Sequence, residues 1–235
     1  FTTLLWILSG SVYASKSDIR DSGISSGKIG LYQDSITSLL QNQGDKSAQS
    51  DNIGSRIISL TSANNIDGLL SLASSLKKSI AQEKPDSATL SEYYYYIGVC
   101  YLLSGKYNEA IENLNSSVSL KRMLRLTHEH YLKAIYNIGV SFNYLGDYIQ
   151  VCNYMLDYIN EASEVYGQDD PEVTEAYTTL IGATVECRDF ESFPDYSAQI
   201  LGILSNNRNA VTGNNLIRLY INIGVGYIMM ADYTR

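Results

Sequence analysis

Apolar residues return along most of this chain at intervals of three and four, the spacing of one face of a helix. They predict helices over residues 87–104, 107–121, 127–145, 148–165, 171–188, 192–205 and 211–230. Short polar breaks carrying Gly, Asn, Asp or Pro separate these stretches. Upstream the pattern thins: 53–60 and 66–80 read as a degenerate helix pair turned at Asn64 and Asn65, and 29–43 as a lone helix. Pro85 is expected just inside the helix that starts near 87, where its missing N–H goes unused. Asp170 is expected to cap the helix that opens on Pro171. Pro194 falls where another helix should begin, so a late start is expected there. The fold class implied is all-α.

Within the helices a frame recurs. Tyr94, Gly98 and Tyr101 align with Ile135, Gly139 and Phe142, then with Thr178, Gly182 and Val185, then with Tyr220, Gly224 and Tyr227. Isoleucine precedes each glycine, at Ile97, Ile138, Ile181 and Ile223. The glycines stand 41, 43 and 42 residues apart, and a fixed period of this size marks stacked helical repeats. Glycine inside a helix costs about 1 kcal/mol against alanine, so its return at one phase calls for a packing reason. The expectation is that Gly98, Gly139, Gly182 and Gly224 all lie where two helices approach closely. Tyr101, Phe142 and Tyr227, three residues on, share that face.

The frame resembles the tetratricopeptide repeat. The first clear copy keeps Gly98, Tyr101, the turn Gly105, Lys106 and Tyr107, and then Ala110. The second keeps Gly139, Phe142, Gly146, Asp147 and Tyr148, with Val151 in the alanine position. The third has lost one residue and the turn glycine and puts Phe193 where alanine stood; the fourth keeps Gly224, Tyr227 and Tyr233. The period is longer than the common one of about 34 residues and is similar to that of kinesin-light-chain-like and bacterial arrays. The loop from Tyr166 through Gly167 and Asp170 to Glu172 resembles the inter-repeat loop of that class. The resemblance implies a right-handed superhelical solenoid of antiparallel helix pairs. Its units would be a degenerate repeat at 51–84, clear repeats at 87–125, 126–168 and 169–208, and an incomplete one at 209–235.

In such arrays the first helix of each pair lines a concave groove. The resemblance therefore implies groove positions at Tyr95, Val99, Leu102 and Leu103, at Lys133, Tyr136, Asn137, Val140, Asn143 and Tyr144, and at Thr179, Ala183, Glu186 and Cys187. The fourth copy adds Arg218, Ile221, Asn222, Val225, Ile228 and Met229. Asn137 and Asn222 sit two residues before their glycines, where related arrays hydrogen-bond an extended peptide. An asparagine satisfied by the neighbouring repeat is the equal alternative.

Charge narrows the partners. The chain of 235 residues carries a net charge of −8 and no Lys/Arg-rich run, which argues against nucleic acid. Three cysteines, Cys100, Cys152 and Cys187, are odd in number and far apart; they read as small buried apolar residues, and one disulfide would need an oxidising compartment. His128 and His130 point in different directions on a helix and make a poor metal site. No cofactor is expected. No nucleophile elbow, HExxH or CxxC is present; Gly23, Gly27 and Lys28 miss the phosphate-loop spacing, and Ile29 stands where Ser or Thr would hold magnesium. Glu109, Glu112, Glu161 and Glu164 read as a solvated face. Asn115, Ser116 and Ser117 match a glycosylation sequon inside a predicted helix.

Residues 1–14 are apolar and uncharged, and Val12 and Ala14 resemble a small-x-small cleavage site. They read as a signal peptide lacking its start, followed by a polar linker and one helix over 15–50. The run is shorter than the roughly 20 apolar residues that span a bilayer. The functional expectation is an exported, non-enzymatic scaffold that binds a protein or peptide segment in its groove. The alternative is the regulatory or sensory part of a larger bacterial protein, with a CHAT-type caspase-like peptidase or a signalling domain beyond this stretch. The helix over 211–230 is apolar all round, as in a repeat cut before its second helix, and self-association through that end is expected.

Overall fold

A computed structural model of the chain describes residues 48–126, 129–211 and 213–233. The readings for 1–14, for the lone helix at 29–43 and for His128 lie outside these residues. Among the described residues the secondary structure is helical, with no strand. The chain divides into two units after Asn64.

The first unit contributes α1, Ala48–Ser62. Thr61 Oγ1 bonds back to the Ile57 carbonyl at 2.8 Å, and Asn64 leaves the helix with φ 49°.

The second unit holds α2 Ile66–Glu83, α3 Ser87–Leu103, α4 Tyr107–Leu124 and α5 Glu129–Leu145. It continues with α6 Tyr148–Tyr166, α7 Pro171–Cys187, α8 Phe193–Asn206 and α9 Gly213–Tyr233. From α2 to α8 each helix packs on the next in sequence; α3 also touches α5, and α9 packs on α7.

Burial alternates along this series. Helices α3, α5 and α7 are apolar around most of their circumference and buried to match: residues 131–141 of α5 are buried without interruption. Helices α4, α6 and α8 bury one stripe each. In α4 it is Ala110, Asn113, Leu114, Ser117, Val118 and Lys121; in α6 it is Val151, Met155, Tyr158, Ile159 and Ala162. In α8 it is Phe193, Ser197, Ile200 and Leu204. A helix buried all round needs neighbours on several sides, whereas a single stripe faces one core.

Local chemistry sets the boundaries. Asn65, Asp86, Asp147 and Asp170 each accept a backbone N–H through the side chain at the start of α2, α3, α6 and α7. Asp170 followed by Pro171 is the cap the sequence predicts. Pro85 differs: it lies outside α3, because Asp86 accepts from Thr89 N at 2.8 Å and so takes the N-cap itself. Helix α8 does start late, with Pro194 in its first turn. Gly105 and Gly146, both at φ 75°, turn the chain out of α3 and α5, and Arg188 at φ 57° does the same after α7. After each of the three helices the next residue's N–H returns to a carbonyl five positions back: Lys106 to Tyr101, Asp147 to Phe142, and Asp189 to Thr184. The missing glycine of the third copy is thus replaced by a left-handed arginine rather than by a different turn.

Candidate functional site

The glycine frame holds in three of its four places. A methyl group at Gly98 would stand 2.6 Å from Leu114 Cγ, and one at Gly139 would overlap the Met155 side chain. Leu114 and Met155 each sit sixteen residues after their glycine, so the two hairpins close in the same way. Gly182 faces Asn222 of α9 instead, at 2.9 Å from Nδ2.

Gly224 corrects the fourth copy. It is exposed, with nothing within 4 Å of an added Cβ, and the close approach belongs to Gly226, which receives the Phe193 ring. Leu114 and Met155, which cover Gly98 and Gly139, come from the helix that follows each glycine, and no helix follows α9 among the described residues. The face that α9 buries is the one its counterparts bury. Leu219, Ile223 and Gly226 make its stripe, and Tyr93, Ile97 and Cys100 of α3 and Ala134, Ile138 and Ser141 of α5 are buried at the same three positions. Phe193, in the place of Ala110 and Val151, is fully buried against Gly226, and Tyr227 meets its ring edge-on at 5.2 Å.

The outward face of α9 is apolar. Ile217, Tyr220, Ile221, Tyr227 and Ile228 are exposed, Ile217 by 59% and Ile228 by 55%, and Gly224 lies among them. Their spacing of three and four makes one continuous stripe.

The predicted groove residues divide by helix. Tyr95, Val99, Leu102 and Leu103 of α3 are buried, as are Lys133, Tyr136, Asn137 and Val140 of α5, and Thr179 and Ala183 of α7. Of these, Tyr95 stacks on His130 of α5 and Tyr136 packs on Tyr158 of α6. Tyr144 stacks on Tyr107 at 4.6 Å between ring centres; Asn143, Glu186 and Cys187 are half-buried. Arg218 donates to Asn215 Oδ1 at 3.2 Å, while Ile221 and Ile228 belong to the open stripe and Val225 and Met229 flank it half-buried. The two asparagines part company. Asn222 Nδ2 donates to the Thr178 carbonyl of α7 at 3.3 Å, so the neighbouring helix satisfies it. Asn137, 2% exposed, has an Oδ1 with no hydrogen-bond partner among the described residues.

A polar joint went unpredicted. Glu92 of α3 pairs through one oxygen with the Lys121 ammonium of α4 and through the other with His130 Nδ1 of α5. The His130 ring stacks on Tyr95 at 4.5 Å, with the Tyr96 edge at 5.5 Å. Burial pushes the Glu92 carboxyl up, but the bond from His130 and the charges of His130 and Lys121 outweigh it and hold the carboxyl below its ordinary range. The signal in the sequence was Lys121, a charge standing on the buried stripe of α4. Next to this joint, Arg122 donates to the Tyr131 hydroxyl through Nε and Nη2, at 3.2 and 2.9 Å. Tyr131 in turn donates to Glu161 Oε1 of α6 at 2.9 Å. Burial pushes the Tyr131 hydroxyl up. Glu161, expected on a solvated face, is 37% exposed at its side chain and also ends this relay. Tyr158 donates to Glu172 at 3.2 Å and Tyr177 to Gln199 at 3.0 Å, so tyrosines span several of the helix junctions. Each puts its ring in the core and its hydroxyl at a polar rim.

Among the described residues no cluster of His, Cys, Asp or Glu is grouped to hold a metal ion, and no helix is long and apolar enough to cross a membrane. Compared with protein families and with curated proteins, the chain matches none.

Proposed function

We propose that this chain is a protein-binding scaffold of the tetratricopeptide type, its helix pairs continuing one another as a right-handed solenoid, and that it docks an amphipathic helix along α9. The observation that carries this is the exposed stripe of Ile217, Tyr220, Ile221, Tyr227 and Ile228 around a bare Gly224. Gly98 and Gly139, in the same frame, are covered by helices that bring a leucine or a methionine to them. A partner helix presenting Leu or Met at three- and four-residue spacing suits the same purpose at Gly224. Such a contact is apolar at its centre and independent of the protein's net negative charge. The scaffold is proposed to act without an enzymatic step in this stretch and, if residues 1–14 direct export, outside the cytoplasm.

The test is titration of the chain with fluorescent helical peptides that carry such a stripe, alongside peptides of equal composition and scrambled spacing. Ile221→Asp with Ile228→Asp should abolish binding while circular dichroism stays unchanged. Equal binding of patterned and scrambled peptides, or binding indifferent to the double substitution, overturns the α9 reading. Loss on Asn137→Ala with Asn222→Ala, and not on the α9 changes, moves the partner to the concave groove.

A further inference from the structure

Helices α6 and α7 pack against each other and carry one cysteine apiece. Cys152 lies just over one turn into α6, and Cys187 is the last residue of α7. Running antiparallel through a short connection, the two helices bring the start of one beside the end of the other. Cys187 lines a shallow, open depression of about 400 Å³ with Leu145, Gly146, Asp147, Tyr148 and Ile149, and Tyr148 and Ile149 stand one turn before Cys152 on the same face of α6. The Cys187 thiol donates to the Thr184 carbonyl at 3.6 Å. Both cysteines are free thiols, and both are half-buried rather than sealed. A small oxidant thus has a way in. Cys100 is different: it is wholly buried in α3.

We infer that Cys152 and Cys187 are a disulfide-forming pair, joined when the protein meets a small-molecule disulfide and parted by a thiol reductant, with Cys100 left as a thiol. The exchange takes two displacements. The Cys187 thiolate attacks one sulfur of oxidised glutathione, forming a mixed disulfide and releasing one glutathione thiolate. The Cys152 thiolate then attacks the Cys187 sulfur, forming the intrachain S–S bond and releasing the second glutathione thiolate. The two thiol protons pass to solvent; two cysteines are oxidised and one glutathione disulfide is reduced.

Cys152 sets the pace. Burial, then the neighbouring Cys187, then the charge of Asp189, push its thiol up to about 12. Once Cys187 is in the mixed disulfide its charge is gone, which leaves burial and Asp189 as the brakes on the second step. Closure should therefore quicken as pH rises, by up to about tenfold per unit in the range where Cys152 is mostly protonated. The bond pins the last turn of α7 to α6, next to the left-handed Arg188, so it should slow fraying at that end.

The experiment incubates the purified full chain with oxidised glutathione at pH 7 and pH 9, blocks residual thiols in denaturant, and maps peptides by mass spectrometry without reduction. The expected product is monomeric, joins the Cys152 peptide to the Cys187 peptide, and keeps one blocked thiol, at Cys100. It should melt roughly 5–10 °C higher than the reduced chain, and dithiothreitol should reverse the shift. Cys100→Ser should leave the crosslink intact; Cys152→Ser should stop the reaction at glutathione on Cys187. Two separately glutathionylated cysteines without the internal bond, a link through Cys100, or only interchain dimers would each overturn the inference. The wild-type peptide map decides the matter even if a substituted chain folds poorly.

Discussion

At the scale of single residues, what matters is whether a side chain has room and whether its backbone angle suits it. Gly98 and Gly139 differ in how far the neighbour can yield. Against Gly98 stand the Leu114 branch carbon and, at 3.2 Å, the Leu114 backbone nitrogen, whereas the Met155 methyl against Gly139 is the end of a flexible chain. Gly98→Ala should therefore destabilise by about 2 kcal/mol and Gly139→Ala by less, with Gly139→Leu costing about 3 kcal/mol. Gly224→Ala has free space and gains helix propensity, so it should stabilise by about 0.5–1 kcal/mol. Thermal melts of the four variants give the order directly, and a Gly224→Ala variant as damaged as Gly98→Ala would contradict the open space at Gly224. Arg188 holds a left-handed angle that glycine adopts without strain. Arg188→Gly should raise stability by about 1 kcal/mol, read as a higher denaturant midpoint with an unchanged slope.

Elements are joined by the Glu92 carboxylate, which ties α3 to α4 through Lys121 and to α5 through His130. Lys121 is almost wholly buried, so Glu92→Gln would leave a desolvated ammonium short of its counter-charge. A loss of about 2 kcal/mol at neutral pH is expected. The pH sense follows from the direction of the shift. The folded-state carboxyl sits below its ordinary value of 4.5, so its contribution is complete above that value and is lost as pH falls through the lower folded-state value. Urea midpoints of wild type and Glu92→Gln should differ most near pH 7 and converge towards pH 3. A constant gap across that range would show that the carboxylate's charge does not carry the effect.

For the second unit as a whole, the gradient of burial predicts a gradient of local stability. Helices α3, α5 and α7 are enclosed on several sides, whereas α9 buries a single stripe and shows the solvent an apolar face. Amide exchange should be slowest in residues 87–103 and 131–141 and clearly faster in residues 217–228, whose hydrogen bonds open without unfolding the rest. Exchange mass spectrometry checks this. Equal protection across α3 and α9 would mean that the α9 face is covered in solution, and a concentration dependence of that protection would identify the cover as a second copy. Ile221→Asp should remove such a dependence by charging the centre of the stripe.

Helix number, order and boundaries from residue 66 onward were legible in the sequence because they rest on local causes. Three- and four-residue periodicity, aspartates at helix starts and glycines after helix ends act within a few residues of themselves, and the helices they mark out begin and end within a few residues of the expected places. Where two local signals competed, as Pro85 did with Asp86, the side-chain cap prevailed. The facing of each helix was a different matter, since it depends on which neighbour supplies a side chain and which supplies a gap. Gly224 stands in the frame of Gly98 and Gly139 yet is exposed, because those two are covered by a leucine or methionine sixteen residues further on, from the helix that follows, and none follows α9 among the described residues. The same holds for the expected groove. Its residue types were readable, but Tyr95, Val99 and Tyr136 were enclosed by helices whose approach no local pattern encodes. Charge pairing was hidden for the same reason: Glu92, Lys121 and His130 are ordinary surface residues until three helices converge on them. Sequence alone determined where this chain is helical, because hydrogen bonds and caps are short-ranged; tertiary packing decided which faces are spent and which remain open, because burial is shared between distant residues.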